Sequence, residues 1–218
     1  MRYKAVIFDL DGTLLNTLDD LADSVNQVLE THGFPKRTTD EIRHFVGNGI
    51  FKLVKRALPE CSDTDTVKSC FDEFCAVYKE NMMNKTKPYN GIESLINNLK
   101  KSGFKLAVVT NKADFAAKAL CNSLFADSFD LVIGSDGKRK NKPSPESTEY
   151  ILNKLNLQKS EVLYVGDSDV DALTAENAGV DFTAVLWGFR DLADFKGYKY
   201  KNAVNTVNEL EKAVFCSE

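Results

Sequence analysis

A short apolar run, Ala5-Val6-Ile7-Phe8, is cut off by Asp9-Leu10-Asp11 and then by a Gly12-Thr13 turn signal. Strand formers ending in polar and turn residues predict a short buried strand. The period then changes. Leu18, Leu21, Val25, Val28 and Leu29 recur at helical spacing until His32-Gly33. Thr39-Asp40-Glu41 opens a second helical stretch, which breaks at Gly47-Asn48-Gly49. Phe51, Val54 and Leu58 carry a third as far as Pro59. From about 63 to 85, Val67, Phe71, Phe74 and Tyr78 mark a longer amphipathic helix. No convincing strand falls between 16 and 87, so this stretch reads as an all-helical unit.

At Lys87-Pro88-Tyr89-Asn90-Gly91 the pattern becomes an alternation of strands and helices. Helices are predicted at 92–101, 113–124, 170–178 and 207–214, and another runs to 155 from a Ser144 cap with Pro145 in its first turn. Strands are predicted at 105–109, 129–133, 161–165 and 182–186. Such alternation predicts an α/β fold, a Rossmann-like parallel sheet covered on both faces. The first strand belongs in that sheet. The chain therefore divides into a discontinuous α/β core, 1–15 and 88–218, and an all-helical cap, 16–87, inserted after the first strand.

Ligands of an open parallel sheet bind at the carboxyl ends of its strands. The first strand delivers Asp9 and Asp11, which at i and i+2 project together with Leu10 turned away. By themselves these residues fit equally well a hairpin turn at Asp11-Gly12 with Asp9 as a polar strand end. A later strand delivers Thr110-Asn111-Lys112, and another Gly166-Asp167-Ser168-Asp169-Val170-Asp171; the loop 138–143 lies between them and carries Lys142. Carboxylates converging on one edge repel unless a cation neutralises them. Oxygen ligands suit Mg²⁺, and with His32 and His44 as the only histidines nothing supplies a zinc site. A metal beside a lysine and a hydroxyl is suited to a phosphoryl group, which an aspartate can attack while a second carboxyl moves the proton. Asp167, Asp169 and Asp171 imitate the start of a calcium loop. Ala172 and Ala178 stand where that loop needs Gly and Glu, which excludes it.

Composition narrows the class. Of 218 residues, 43% are hydrophobic and 28% charged, enough for a sizeable core. A net charge of -4 offers no basic footprint for nucleic acid. Five scattered cysteines without a Cys-x-x-Cys pair fit a reducing compartment. No apolar run approaches a membrane span, and the opening one is too short for a signal peptide, so a soluble cytoplasmic protein is expected.

The segments Asp9-Leu10-Asp11-Gly12-Thr13-Leu14, Thr110-Asn111, Lys142-Pro143-Ser144-Pro145 and Gly166-Asp167-Ser168-Asp169-Val170-Asp171 together resemble the four motifs of the haloacid dehalogenase-like hydrolases. The chain is similar to their phosphoglycolate phosphatase-like branch, which inserts a helical cap after the first motif. The resemblance implies that Asp9 is the phosphorylated nucleophile and Asp11 the general acid/base. It implies that Thr110 hydrogen-bonds the phosphoryl group with Asn111 alongside it, and that Lys142 neutralises charge on the nucleophile and the phosphate. Mg²⁺ would be bound by Asp9, the Asp11 main-chain carbonyl and Asp167, with Asp171 orienting its waters or Lys142.

Asp11 favours phosphate esters over the carbon–halogen bonds that name the family, because an alkoxide leaving group benefits from a proton and a halide does not. Arg43, in the stretch Arg43-His44-Phe45-Val46-Gly47-Asn48-Gly49 that resembles the branch's cap loop, is a candidate for a substrate carboxylate, or else a surface helix charge. Trp187-Gly188-Phe189-Arg190 resembles a loop near the branch's active site, with Trp187 and Phe189 read as core. The expected activity is hydrolysis of a small phosphorylated metabolite such as 2-phosphoglycolate. A pyrophosphatase, a β-phosphoglucomutase-like phosphotransferase and a non-catalytic binding protein are the alternatives; a homodimer stays open.

Overall fold

The computed structural model describes residues 2–216. The opening apolar run forms strand β1 (Ala5–Phe8), buried along its whole length. After a tight loop come β2 (Leu15–Asn16) and four helices, α1 (Leu18–Thr31), α2 (Thr39–Phe45), α3 (Ile50–Ala57) and α4 (Thr64–Asn81). The chain returns through β3 (Lys87–Pro88). It continues with α5 (Ile92–Lys101), β4 (Lys105–Ala113), α6 (Asp114–Phe125), β5 (Leu131–Ser135), α7 (Glu146–Leu155), β6 (Val162–Gly166), α8 (Asp169–Ala178), β7 (Asp181–Val185), β8 (Asn202–Val204) and α9 (Val207–Phe215).

Six strands form one sheet in the order β5-β4-β1-β6-β7-β8, with every neighbouring pair parallel. Side-chain alternation explains why β1 must be central. Val6 and Phe8 enter the cluster beneath α5, α6 and α9, whereas Ala5 and Ile7 enter the one beneath α7 and α8. Both faces being covered, the strand reads as continuous hydrophobic residues. Cutting Ile7 or Phe8 back to Ala would remove about 2–5 kcal/mol of packing.

The four helices between β2 and β3 have a core of their own. Leu21, Val25, Leu53, Phe74 and Tyr78 belong to it. Local chemistry sets the helix starts: Thr38 and Glu41 form a capping box ahead of α2, and the Asp63 carboxylate accepts from Thr66 N at 2.7 Å ahead of α4. Helix α4 stops short of the predicted residue 85. The buried Asp20 carboxylate draws the chain out of the helix by accepting from Lys85 N (3.0 Å), Thr86 N (2.8 Å) and the Thr86 hydroxyl (2.8 Å).

Elements β2, β3, β8 and α7 differ from the sequence reading. Leu15–Asn16 and Lys87–Pro88 pair antiparallel at the two ends of the stretch read as strand-free. Two residues carry no detectable period. Strand β8 is short and begins with an exposed Asn, and it also escapes the pattern. Helix α7 starts at Glu146 with Pro145 as its cap residue, one position later than expected, while Ser144 Oγ still accepts from Glu146 N at 3.4 Å. Among the described residues, no helix is long and apolar enough to cross a membrane.

Candidate active site

Three adjacent strands, β4, β1 and β6, run to one edge: Asp9 and Asp167 directly follow β1 and β6, and Thr110 lies within β4, which continues to Ala113 instead of ending at the predicted 109. The ladder carries on past β1, with Asp9 N donating to Val165 O at 2.9 Å. Leu10 turns into the hydrophobic core while Asp9 and Asp11 both line one cleft, in keeping with the i, i+2 argument. Gly12 follows at φ 91°, and a methyl group there would overlap the Asp167 carboxylate. Only glycine lets the β1 loop pass so close to β6.

Lys142 reaches the cluster from the loop between β5 and α7. Its ammonium donates to Asp9 Oδ1 and to Asp171 Oδ1, both at 2.6 Å, with all three side chains buried. Asn111 fixes the lysine's main chain: Lys142 N donates to Asn111 Oδ1 at 2.8 Å, and Asn111 Nδ2 donates to Lys142 O at 3.2 Å. The same Nδ2 donates to Gly47 O at 3.0 Å. Asn111, expected beside the phosphoryl group, thus spends its amide on the backbone. Asp171 is held in turn by Ser168, whose hydroxyl donates to Oδ2 at 2.5 Å and whose N–H donates at 3.1 Å. Thr110 Oγ1 accepts from Lys112 N at 3.2 Å, which leaves its own O–H to point elsewhere.

Asp167 has no cation partner among the described residues. Its oxygens accept from the Thr13 hydroxyl at 3.3 Å and from Phe189 N at 2.7 Å. Gly188 makes the second contact reachable, because a methyl group there would overlap the Gly12 carbonyl and the Asp167 side chain. Oxygen atoms of Asp9, Asp167 and Asp171 lie within 4.8 Å of one another. Three buried carboxylates therefore share the charge of a single lysine. Burial pushes the Asp9 carboxyl up to about 7; Lys142 opposes this, and the charges of Asp171 and Asp11 add to it. Burial, then the charges of Asp9 and Asp171, raise Asp167 well above the carboxylate range. A hard divalent cation answers both the uncompensated charge and the all-oxygen donor set, so these residues fit Mg²⁺.

Asp11 lies apart from that group. Its Oδ1 accepts from the Lys112 ammonium at 2.9 Å, and the same ammonium donates to Tyr78 Oη at 2.6 Å. Lys112 is buried; burial would lower its pKa, but Asp11 and Tyr78 together raise it. Lys112 has no role in the sequence pattern taken motif by motif. The signal was available: Thr110 and Lys112 stand i, i+2 at a strand end, as Asp9 and Asp11 do.

Arg43, read as a candidate for a substrate carboxylate or else as a surface helix charge, is engaged by the loop after β7. Its Nε donates to Phe189 O at 2.7 Å, its Nη2 reaches Asp191 Oδ1 at 3.4 Å, and it does not line the cleft. A long side chain on α2 satisfies the nearest carbonyl and carboxylate before it can turn inward. Arg190 lines the cleft instead. So does Phe189, and Trp187 donates to Thr13 O at 3.1 Å while packing on the core. The cleft holds about 580 Å³ counted out to its open mouth, and Leu21, Val46, Ile50 and Leu53 roof it.

The chain's relatives share this arrangement of elements. A family model described as haloacid dehalogenase-like hydrolase matches residues 6–185. A phosphoglycolate phosphatase of Psychrobacter arcticus is 36% identical over 197 residues, covering 87% of this chain and 86% of that one. Another, of Colwellia psychrerythraea, is 31% identical and covers 95% of each. Among solved structures, one provisionally named phosphoglycolate phosphatase, from Lactobacillus delbrueckii subsp. bulgaricus, superposes with a TM-score of 0.93 at 33% identity, over 98% of this chain and 99% of that one. With the four segments meeting at one sheet edge, the chain belongs to the haloacid dehalogenase-like hydrolases and is an enzyme of their phosphoglycolate phosphatase-like branch.

Proposed function

We propose that the protein is a Mg²⁺-dependent phosphomonoester hydrolase that works through a phosphorylated Asp9, with 2-phosphoglycolate or a similar small phosphometabolite as substrate. The observation that carries this reading is Lys142 bridging Asp9 and Asp171 within a carboxylate group that includes Asp167. Mg²⁺ would be held by Asp9, Asp167 and the Asp11 main-chain carbonyl, with Asp171 beside it. When bound it neutralises the carboxylates and the phosphoryl oxygens.

The chain's own groups account for the rest. Lys142 holds the Asp9 carboxylate in one orientation, and the Thr110 O–H is available to a phosphoryl oxygen. Asp9 attacks phosphorus, the bond from phosphorus to the ester oxygen breaks, and Asp11 gives that oxygen its proton. Asp11 then takes a proton from water as the resulting hydroxide attacks phosphorus. The Asp9–phosphorus bond breaks, releasing inorganic phosphate and restoring both carboxyl groups. For this, Asp11 must leave the Lys112 ammonium for the leaving group or the water. The helices of 16–87 act as a cap that excludes bulk water and contacts the leaving group.

The test is phosphate release from p-nitrophenyl phosphate and a panel of phosphometabolites, with Mg²⁺ and with EDTA. Turnover dependent on the metal and lost in Asp9→Asn supports the reading. Full activity in Asp9→Asn removes Asp9 as nucleophile. Interconversion of sugar phosphates without net release would move the assignment to a phosphotransferase, and preference for pyrophosphate to a pyrophosphatase.

A further inference from the structure

We infer that Arg190 is the residue that selects the substrate, by binding an anionic group, a carboxylate, on the alcohol side of the phosphate ester; this rests on the phosphomonoesterase reading above. Three cationic side chains line the cleft: Lys112, Lys142 and Arg190. Two are already neutralised. Lys142 is shared by Asp9 and Asp171, and Lys112 is paired with Asp11. Arg190 differs, because among the described residues it has no carboxylate within salt-bridge distance.

What holds Arg190 is backbone. Nη1 donates to Arg43 O at 2.9 Å and to Phe189 O at 3.5 Å, and Nη2 donates to Val46 O at 2.8 Å. Carbonyls orient a guanidinium without cancelling its charge. Of its five N–H groups, three are used, which leaves one on Nε and one on Nη2. Two parallel donors on a fixed, half-buried guanidinium match the two oxygens of a carboxylate. The position suits the purpose as well. Phe189, the preceding residue, donates from its N–H to Asp167, and Val46 lies in the roof of the cleft. Arg190 therefore stands between the metal-facing carboxylates and the helical roof, where the leaving group of an ester attacked by Asp9 must lie.

Within the small phosphate esters proposed above, Arg190 is thus the residue that favours those whose alcohol carries a carboxylate over neutral sugar phosphates. A site built around an unpaired charge also rejects an uncharged analogue, which would leave the guanidinium desolvated and unsatisfied.

The experiment compares 2-phosphoglycolate with 2-hydroxyethyl phosphate, its equal in length with an alcohol replacing the carboxylate, and with p-nitrophenyl phosphate. Wild type, Arg190→Gln and Arg190→Lys are each assayed with Mg²⁺. Wild type is expected to prefer the carboxylated ester by about 30-fold in kcat/KM. Arg190→Gln is expected to shrink that preference about tenfold, through KM more than kcat, and Arg190→Lys to keep part of it. Arg190 also braces the loop around Val46, so the ratio of two esters within one variant is the reading that matters. The wild-type comparison needs no variant to fold. Equal kcat/KM for the two short esters in wild type overturns the inference, and so does an equal loss on both in Arg190→Gln. If wild type releases phosphate from none of the three, the phosphatase reading falls and takes this inference with it. Release from p-nitrophenyl phosphate without a carboxylate preference removes the inference alone.

Discussion

Tyr78 Oη and Lys112 Nζ lie 2.6 Å apart, and this contact joins helix α4 to the end of strand β4. The ammonium also sits over the Tyr78 ring, 4.7 Å from its centroid. Its other partner is Asp11, so one buried lysine couples the helical roof to the proposed general acid/base. Burial pushes the Tyr78 phenol up to about 12, so the hydroxyl stays protonated at neutral pH and its oxygen accepts from the lysine.

Tyr78→Phe removes an acceptor from a buried cation. The expected cost is about 2 kcal/mol, the usual size of a hydrogen bond to a charged group. Lys112→Met leaves Asp11 without its cation and is expected to cost about 3–5 kcal/mol. Because both act through one ammonium, the double variant should fall well short of the sum. Urea unfolding of the four proteins measures this; additive losses would show that the contact is not energetically coupled.

Gly188 and Gly12 together leave room for the Asp167 carboxylate. Gly188→Ala puts a methyl group into the Gly12 carbonyl and the Asp167 side chain, two groups on different strand ends that cannot both retreat. The expected result is a loss of about 100-fold in kcat with weakened Mg²⁺ binding, since small displacements of reacting groups cost on that scale. Calorimetric titration with Mg²⁺ checks it. Unchanged metal affinity would mean that the loop yields without moving Asp167.

Asn111→Ala tests whether that residue works on the substrate or on Lys142. Its amide makes a two-way link with the Lys142 main chain, and loss of the link should let the ammonium drift from Asp9. We expect kcat to fall about 100-fold with a smaller change in KM. A change confined to KM would return Asn111 to the substrate.

Why some of this was legible and some was not follows from sequence distance. Asp9 and Asp167 each follow an apolar strand and Thr110 follows the apolar run of β4, so pattern and the strand-end rule suffice to place them together. The parallel sheet and the separate helical stretch follow from a change of hydrophobic period at about residue 88. The loop 187–190 also follows a strand, but the partners of Arg190 could not be found that way. Its environment is built by Arg43 O and Val46 O, 147 and 144 positions upstream, and no local pattern encodes such a contact. The same blindness left Arg43 open between a substrate carboxylate and a surface helix charge, because two arginines that meet the same loop look alike until the loop is folded. The β2–β3 pair was missed for another reason. Two residues are too few for a period, although they mark both connections to the helices.

Without metal, stability should fall as pH rises through neutrality. The folded Asp9 carboxyl is pushed up to about 7 by burial, against roughly 3.9 in an unfolded chain. Between those values the native state binds more protons than the unfolded state, so the slope of unfolding free energy with pH is negative. The stabilisation is complete below about pH 4 and lost through about pH 7. Asp167 shifts the same way and adds to the loss. Lys112 and Lys142 have raised values, and their contributions change only near and above the ordinary lysine range. The carboxyls of Glu41, Asp63, Asp114 and Glu161 are lowered, so their contributions fade only in acid. Denaturant unfolding in EDTA should therefore show a decline on the order of 2 kcal/mol from pH 5 to pH 8. Asp9→Asn carries no charge to repel and should flatten much of that decline. Excess Mg²⁺ binds the native state alone and should restore wild-type stability most strongly at the alkaline end. A metal-free stability that is flat or rises over this range would show that the three carboxylates are not in conflict, and the case for a cation among them would lose its physical basis.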